Sequence, residues 1–207
     1  MNPRSESIRN LLHASPHLRQ LVSSRMLEKH FKRGEMITDE AILRGNAFWL
    51  LSGMARGFYT RKGVERTYGF AFEGDFLGVP VTLFRLPDTA PAIEFLEATD
   101  ILMIPRSDFS TDMRMIDDTV FRQIAENIMQ VLFEHMQVIE EQMFMFQSLS
   151  ARERYEWFVG RYPVVLERAT ITQIASFLGV TKETLYRIRA GKYSAGEKQQ
   201  ITKTQKK

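Results

Sequence analysis

Four side chains near the end of the sequence have the types and the spacing to read a nucleic acid: Lys182, Glu183, Tyr186 and Arg187. On a helix they share one face, about 140–180° around from Leu185 and Ile188, which are three apart and turn inward together. An arginine on such a face can donate in bidentate fashion to guanine O6 and N7, a glutamate can accept from cytosine N4, and a lysine can take guanine or phosphate. The residues before them supply the support. Ile174, Leu178 and Val180 are apolar, and Ala175 is small enough for a second helix to cross closely. Gly179 can take the left-handed conformation of a short turn, and Thr181 can cap the helix that follows. The spacing therefore predicts a helix-turn-helix over Ile171–Arg189 with double-stranded DNA as its partner. The plain alternative is a small αα-hairpin with a solvated face, in which Glu183 and Arg187 form an i,i+4 ion pair worth ~0.3–0.5 kcal/mol.

Other chemistry is poorly provided for. The chain has no cysteine, which removes disulfides, thiolate nucleophiles, iron–sulfur clusters and zinc–thiolate sites. Its histidines, His13, His17, His30 and His135, form no grouping that suggests a metal or haem site. A cupin-like metalloenzyme would need a histidine cluster with a carboxylate, and the strand region offers only His30 at its edge. HExxH, GxSxG, GxxxxGK[ST] and GxGxxG are absent. No catalytic residue, metal or enzyme activity is expected.

The 207 residues can hold one or two domains, and 44% hydrophobic content is enough for real cores. The net charge is +3, yet residues 182–207 carry eight Lys or Arg against two Glu, a local +6 that leaves −3 for the rest. A basic end on a slightly acidic body suits a nucleic-acid partner. The sequence starts Met-Asn-Pro-Arg without an apolar leader and has no run of ~18 apolar residues, so a cytoplasmic protein without membrane association is expected.

The elements that must position the reading face follow from the periodicity. Residues 5–29 have helical spacing at Ile8, Leu11, Leu12, Leu18, Leu21 and Val22, which predicts one or two short helices. From Phe31 to about Arg106 short apolar runs alternate with turn signals. Strands are expected at Met36–Ile37, Ala47–Leu51, Ala55–Thr60, Glu65–Phe72, Ile93–Ala98 and Ile101–Ile104, forming a small sandwich or roll. From Asp117 to about Leu149 the period is helical, with two apolar stripes. One runs through Phe121, Ile124, Ile128, Val131, His135, Val138 and Gln142, and is expected to be the seam of a homodimer, with His135 and Gln142 setting register. The neighbouring stripe runs through Ala125, Leu132, Met136, Ile139, Met143 and Phe146. Ser150-Ala-Arg-Glu153 has capping-box spacing for a helix through Tyr162, whose Tyr155, Phe158 and Val159 should back the hairpin, with Trp157 if its ring turns inward. Val164–Ala169 is expected to be a connector. The segment after Gly191 is expected to be poorly ordered without DNA.

This order of parts resembles the Crp/Fnr family. Two segments carry the resemblance, which covers most of the chain. Phe72-Glu-Gly-Asp-Phe-Leu-Gly78 is similar to the entry into the phosphate-binding cassette of cyclic-nucleotide-binding rolls. Gly179-Val-Thr-Lys-Glu-Thr-Leu-Tyr-Arg-Ile188 is similar to the family's recognition helix, Gly-Cys-Ser-Arg-Glu-Thr-Val-Gly-Arg-Ile. Ala151-Arg-Glu-Arg-Tyr155 and Arg161-Tyr-Pro163 resemble the Crp-like regulators common in Bacteroidetes.

The resemblance implies an α+β chain in three parts. Residues 1–116 would be a cyclic-nucleotide-binding-like β-roll (a double-stranded β-helix), 117–149 a long dimerisation helix, and 150–207 a helix-turn-helix domain with a basic tail. It implies a homodimeric transcriptional regulator on a roughly palindromic operator, with RNA polymerase as a further partner. Lys182, Glu183 and Arg187 then fall on base-reading positions beside Tyr186. Thr181 and Thr184 fall on phosphate-contacting positions, and Thr172, Arg189 and Lys192 are grouped with them.

A ligand pocket would involve Phe76, Leu77, Gly78, Val79 and Arg85. The sequence departs from the family here, because Gly78 is followed by Val79-Pro80 and the later segment reads Ala90-Pro-Ala-Ile-Glu-Phe-Leu-Glu97. The ribose-binding glutamate and the phosphate-binding arginine are both missing from their places, and Glu94 and Glu97 bring negative charge. A buried phosphate there would lack its cation, so no cofactor is expected and cyclic AMP is not expected to bind in the usual way. The family's winged hairpin looks shortened or absent after Arg189. The alternative to a DNA reader is a ligand-sensing module whose DNA binding has lapsed.

Overall fold

The computed structural model describes residues 27–77, 88–105 and 118–192. The chain divides into two compact units, Met1–Gln137 and Val138–Lys207. The first holds two four-stranded antiparallel sheets. β1 (Leu27–Phe31), β8 (Thr99–Pro105), β3 (Asn46–Ser52) and β6 (Phe76–Leu77) form one, in that order. β2 (Met36–Ile37), β7 (Thr89–Phe95), β4 (Ala55–Arg61) and β5 (Val64–Ala71) form the other. The expected mixture of helix and antiparallel sheet is present.

The turns explain the hairpins. Lys62 and Gly63 both have positive φ (51° and 76°) in the two-residue link between β4 and β5, where Arg61 faces Val64. Two left-handed residues give the turn a twist that matches the flanking strands. Gly53 (φ 86°) joins β3 to β4, and a Cβ there would stand 2.4 Å from Thr99 Oγ1, so only glycine fits. Inside the roll, Ile37, Phe48, Leu50, Ala55, Leu77, Ile93, Phe95 and Ile101 are buried together. Phe31 stacks on Phe95 with ring centroids 4.1 Å apart and 14° between planes, which ties the two sheets through an aromatic pair.

Several boundaries differ from the sequence expectation. Residues 27–29 belong to β1, not to a leading helix, because Leu27–Phe31 pairs along its whole length with β8; the rest of the expected leading helices, residues 5–26, lies outside the described residues. A short helix, α1 (Glu40–Gly45), lies where only a turn was expected. Asp39 caps it, accepting from the backbone of Ala41 at 2.8 Å, and Leu43 is buried in the core. β7 starts at Thr89 rather than Ile93. Pro91 is tolerated because β2 reaches only Ile93 and Glu94, leaving β4 as the neighbour of Pro91 among the described residues. β6 is an addition, and the Glu73–Asp75 turn before it is fixed by bonds from Gly74 N to Leu50 O (2.8 Å) and from Leu50 N to Asp75 O (3.0 Å).

The expected negative charge at Glu94 is offset within the sheet. Arg56 is buried, donates to Glu94 and to Glu65 (2.7 Å) and Thr67 (3.0 Å), and lies over the Phe58 ring at 4.3 Å. A buried guanidinium needs such partners, because an uncompensated charge there would cost several kcal/mol (~3–5).

The second unit contains the end of a long helix, α2 (Asp118–Ser148), which crosses the boundary between the units. α3 (Ala151–Arg161), α4 (Val165–Arg168), α5 (Ile171–Leu178) and α6 (Lys182–Arg189) follow. α4 is a single turn inside the expected connector, anchored by buried Val165. Among the described residues no helix is long and apolar enough to cross a membrane.

One contact in the roll is set by pH. Asp100 pairs with His30 Nδ1 at 2.7 Å and accepts from the Ser52 hydroxyl at 2.7 Å, and these bonds, His30 first, hold its carboxyl below the ordinary 3.8. A depressed carboxylate contributes stability above its unfolded value and loses it as pH falls through the lower folded value. The urea midpoint should therefore decline as pH drops below 3.8, and Asp100→Asn should flatten that decline.

Candidate nucleic-acid interface

α3 lays the floor of the site. Ser150 caps it in a reciprocal box with Glu153, as the spacing predicts: Ser150 N donates to Glu153 Oε2 at 2.7 Å and Glu153 N to Ser150 Oγ at 3.4 Å. Phe158 is fully buried against Phe177 (centroids 5.4 Å) and Tyr162 (5.6 Å). Tyr155 and Val159 are only half-buried. Trp157 turns its ring edge-on to Tyr162 at 5.7 Å.

On this floor stand α5 and α6. Thr170 and Gln173 cap α5 with a second reciprocal box. Ile174, Ala175, Phe177 and Leu178 are buried. Gly179 closes the helix in the left-handed region (φ 66°), and Val180 N reaches back to Ala175 O at 3.0 Å. That six-to-one bond satisfies a carbonyl the helix end would leave open. Thr181 then caps α6, its Oγ accepting from Thr184 N at 3.1 Å. The only buried side chains of α6 are Leu185 and Ile188. Gly191 (φ 68°) ends it with another such bond, Lys192 N to Arg187 O at 2.9 Å.

Two inward positions in eight leave a wide outer face. Lys182, Glu183, Tyr186, Arg187, Arg189 and Ala190 are exposed, Tyr186 to 52%. An eight-residue helix is ~12 Å long, close to the ~12 Å width of the major groove. Thr172 is exposed in the first turn of α5, and Thr181 and Lys192 are exposed at the two ends of α6. Thr184 is half-buried, with its hydroxyl 3.0 Å from that of Thr181. The nine expected DNA contacts thus lie on α5, on α6 and on the residues flanking α6.

The other expected sites come out differently. Leu77 is buried in the core of the roll, and Phe76 is described only through its backbone pairing with Trp49. Gly78, Val79 and Arg85 lie outside the described residues. Of the expected seam, Val138 and Gln142 are half-buried, while the side chains of Phe121, Ile124, Ile128, Val131 and His135 lie outside the description. Sequence reasoning missed Phe177 and Tyr162 as floor residues, although Phe158 and Tyr162 are aromatics four apart; Phe177 stands on another helix, and nothing in the spacing marks it.

Solved structures share the overall fold. A CooA mutant from Carboxydothermus hydrogenoformans superposes with a TM-score of 0.66 at 18% identity, covering 87% of this chain and 81% of that one. CLP of Xanthomonas campestris, a c-di-GMP-responsive global regulator, gives 0.65 at 13% identity over 86% and 91%. A structure from Eubacterium rectale assigned to the Crp/Fnr family of transcriptional regulators gives 0.58 at 20% identity over 86% and 82%. The fold is that of the Crp/Fnr regulators. No family model and no curated protein matches the sequence. The likeness in fold covers most of the chain.

Gly179 gives the first check on this geometry. Its left-handed φ of 66° and the 3.2 Å approach a Cβ would make to Phe146 Cε1 both oppose a side chain. Gly179→Ala should cost about 1–2 kcal/mol in urea unfolding, whereas Gly160→Ala, where a Cβ meets nothing within 4 Å, should be neutral or stabilising.

Proposed function

We propose that the protein is a sequence-specific, DNA-binding transcriptional regulator that acts as a cytoplasmic homodimer on a roughly palindromic operator. The observation that carries this reading is the capped, outward-facing helix α6, with Lys182, Glu183, Tyr186 and Arg187 exposed on a two-residue buried base. Two structural neighbours are described as regulators, which fits the same role. Arg187 donates to guanine O6 and N7, Glu183 accepts from cytosine N4, Lys182 takes guanine or phosphate, and Tyr186 packs beside them. Thr172, Thr181, Thr184, Arg189 and Lys192 hold the flanking phosphates and set the register. RNA polymerase is a further partner. The roll does not bind cyclic AMP in the usual way, since neither the cassette glutamate nor its arginine is in place, and Glu94 already occupies Arg56.

The dimer forms along α2. Met129, Met136 and Met143 recur every seven residues and are exposed to 51%, 54% and 55%, with Ile139 also exposed. A seven-residue apolar repeat on an exposed face is the pattern of a two-stranded seam. These exposures favour the Met129–Met136–Ile139–Met143 stripe over the Phe121–Gln142 stripe expected from the sequence, in which Val138 and Gln142 are half-buried.

Three experiments follow. Gel shifts on duplex DNA across a salt series should show affinity falling linearly in log–log form; a salt-independent interaction, or none, would point to the ligand-sensing alternative. Arg187→Ala should then lose ~1–3 kcal/mol at the preferred duplex and relax base preference, while equal losses on specific and mixed-sequence DNA would make Arg187 a phosphate contact. For the seam, Met136→Glu should turn a dimer into a monomer in sedimentation velocity, and a dimer that survives it would put the seam elsewhere.

A further inference from the structure

The link between α2 and α3 is short. α2 ends at Ser148 and α3 begins at Ala151, leaving Leu149 and Ser150 between them. Two residues outside a helix carry enough backbone freedom to swing whatever follows. In this chain side chains on both sides of the link hold it. Met145 is wholly buried, and Glu141 meets Arg161 at 3.4 Å, an exposed pair of small worth. Phe146 is different. Its ring is 47% exposed, yet it lies on the helix-turn-helix turn: a Cβ on Gly179 would stand 3.2 Å from its Cε1 and 3.9 Å from its Cδ1. The Arg154 guanidinium of α3 lies 5.5 Å from the centre of that ring, within cation–π reach, and its Nη1 would be 3.5 Å from the same Cβ. One aromatic ring on α2 thus touches the turn that orients α6 and is covered by a cation from α3.

We infer that Phe146 is a positioning residue: it locks the turn at Gly179 to the end of α2, so that α6 is carried rigidly on the last turns of the long helix instead of swinging about Leu149–Ser150. The smooth backbone of Gly179 then has a second use besides its left-handed conformation, since a Cβ there would have to shift the ring by a few tenths of an ångström. Residues Val138–Lys207 forming one compact unit is what such a lock requires. The consequence for base reading rests on the role proposed for α6; the lock itself does not.

The absence of cysteine makes the test clean. Spin labels on cysteines introduced as Glu140→Cys and Ala190→Cys, both exposed positions, report the distance from α2 to the end of α6. Doubly labelled protein is diluted into a tenfold excess of unlabelled chain, so that only distances within one chain are read. The parent should give one narrow distribution. Phe146→Ala should at least double its width, and Phe146→Tyr should restore it. Phe146→Leu, which keeps apolar bulk without the ring face, should lie between them and guards against a variant that fails to fold. A Phe146→Ala distribution as narrow as the parent's, or a parent distribution that is already broad, would overturn the lock. On DNA, Phe146→Ala should lose about tenfold in preference for an enriched duplex over a mixed-sequence one. If the parent binds no duplex the functional reading fails, and the distance widths still decide this inference.

Discussion

The helix-turn-helix depends on one constraint: two eight-residue helices, each too short to persist in water, must be made stable by what they bury and how they end. Isolated helices of this length are marginal at best. α6 exists because Leu185 and Ile188 are buried and because Thr181 and Gly191 close its ends. Burying those two aliphatic side chains contributes about 1.5–3 kcal/mol each, and a threonine cap adds about 1. The inward side of α6 is thereby used up. The polar residues have only the outer face left, and that is why they are available to a partner.

The same economy appears at the turn. Gly179 must be left-handed for Val180 N to reach Ala175 O, and its bare Cα lets Phe146 approach so closely that a Cβ would displace the ring by a few tenths of an ångström. Backbone conformation and side-chain packing therefore select the same residue. In the roll, Arg56 plays an analogous part for one sheet. It gathers Glu65, Thr67 and Glu94 around one buried cation, so three strands are joined by polar contacts as well as by the ladder. Polar side chains that could have faced a ligand are committed to each other.

The sequence was most legible where one residue type has one physical use. Gly179, Thr181, Leu185, Ile188 and the Ser150–Glu153 box could be placed because a left-handed turn, a helix cap and an inward apolar pair leave few other readings. It was least legible where structure comes from partners distant in the chain. β1 was hidden because its ladder with β8 joins residues about seventy positions apart, and nothing in Leu27–Phe31 announces that partner. α1 was hidden because Gly45 and Asn46 resemble a turn and six residues are too few to show a helical period. The pairing of Arg56 with Glu94 also needed the fold, as the two are thirty-eight residues apart. The two stripes of α2 were both visible, but periodicity could not say which one the chain would cover. Exposure at Met129, Met136 and Met143 is what the proposed seam rests on.

The central claim is that two copies of α6, held by paired α2 helices, read a duplex in successive major grooves. The most direct measurement is selection of bound sequences from random double-stranded DNA with the purified full-length protein, followed by sequencing of the enriched pool. The account predicts an inverted repeat whose half-sites lie about one helical turn apart, ~34 Å or 10–10.5 base pairs centre to centre. Failure to enrich any sequence, or enrichment of a lone half-site without its mirror copy, would contradict it.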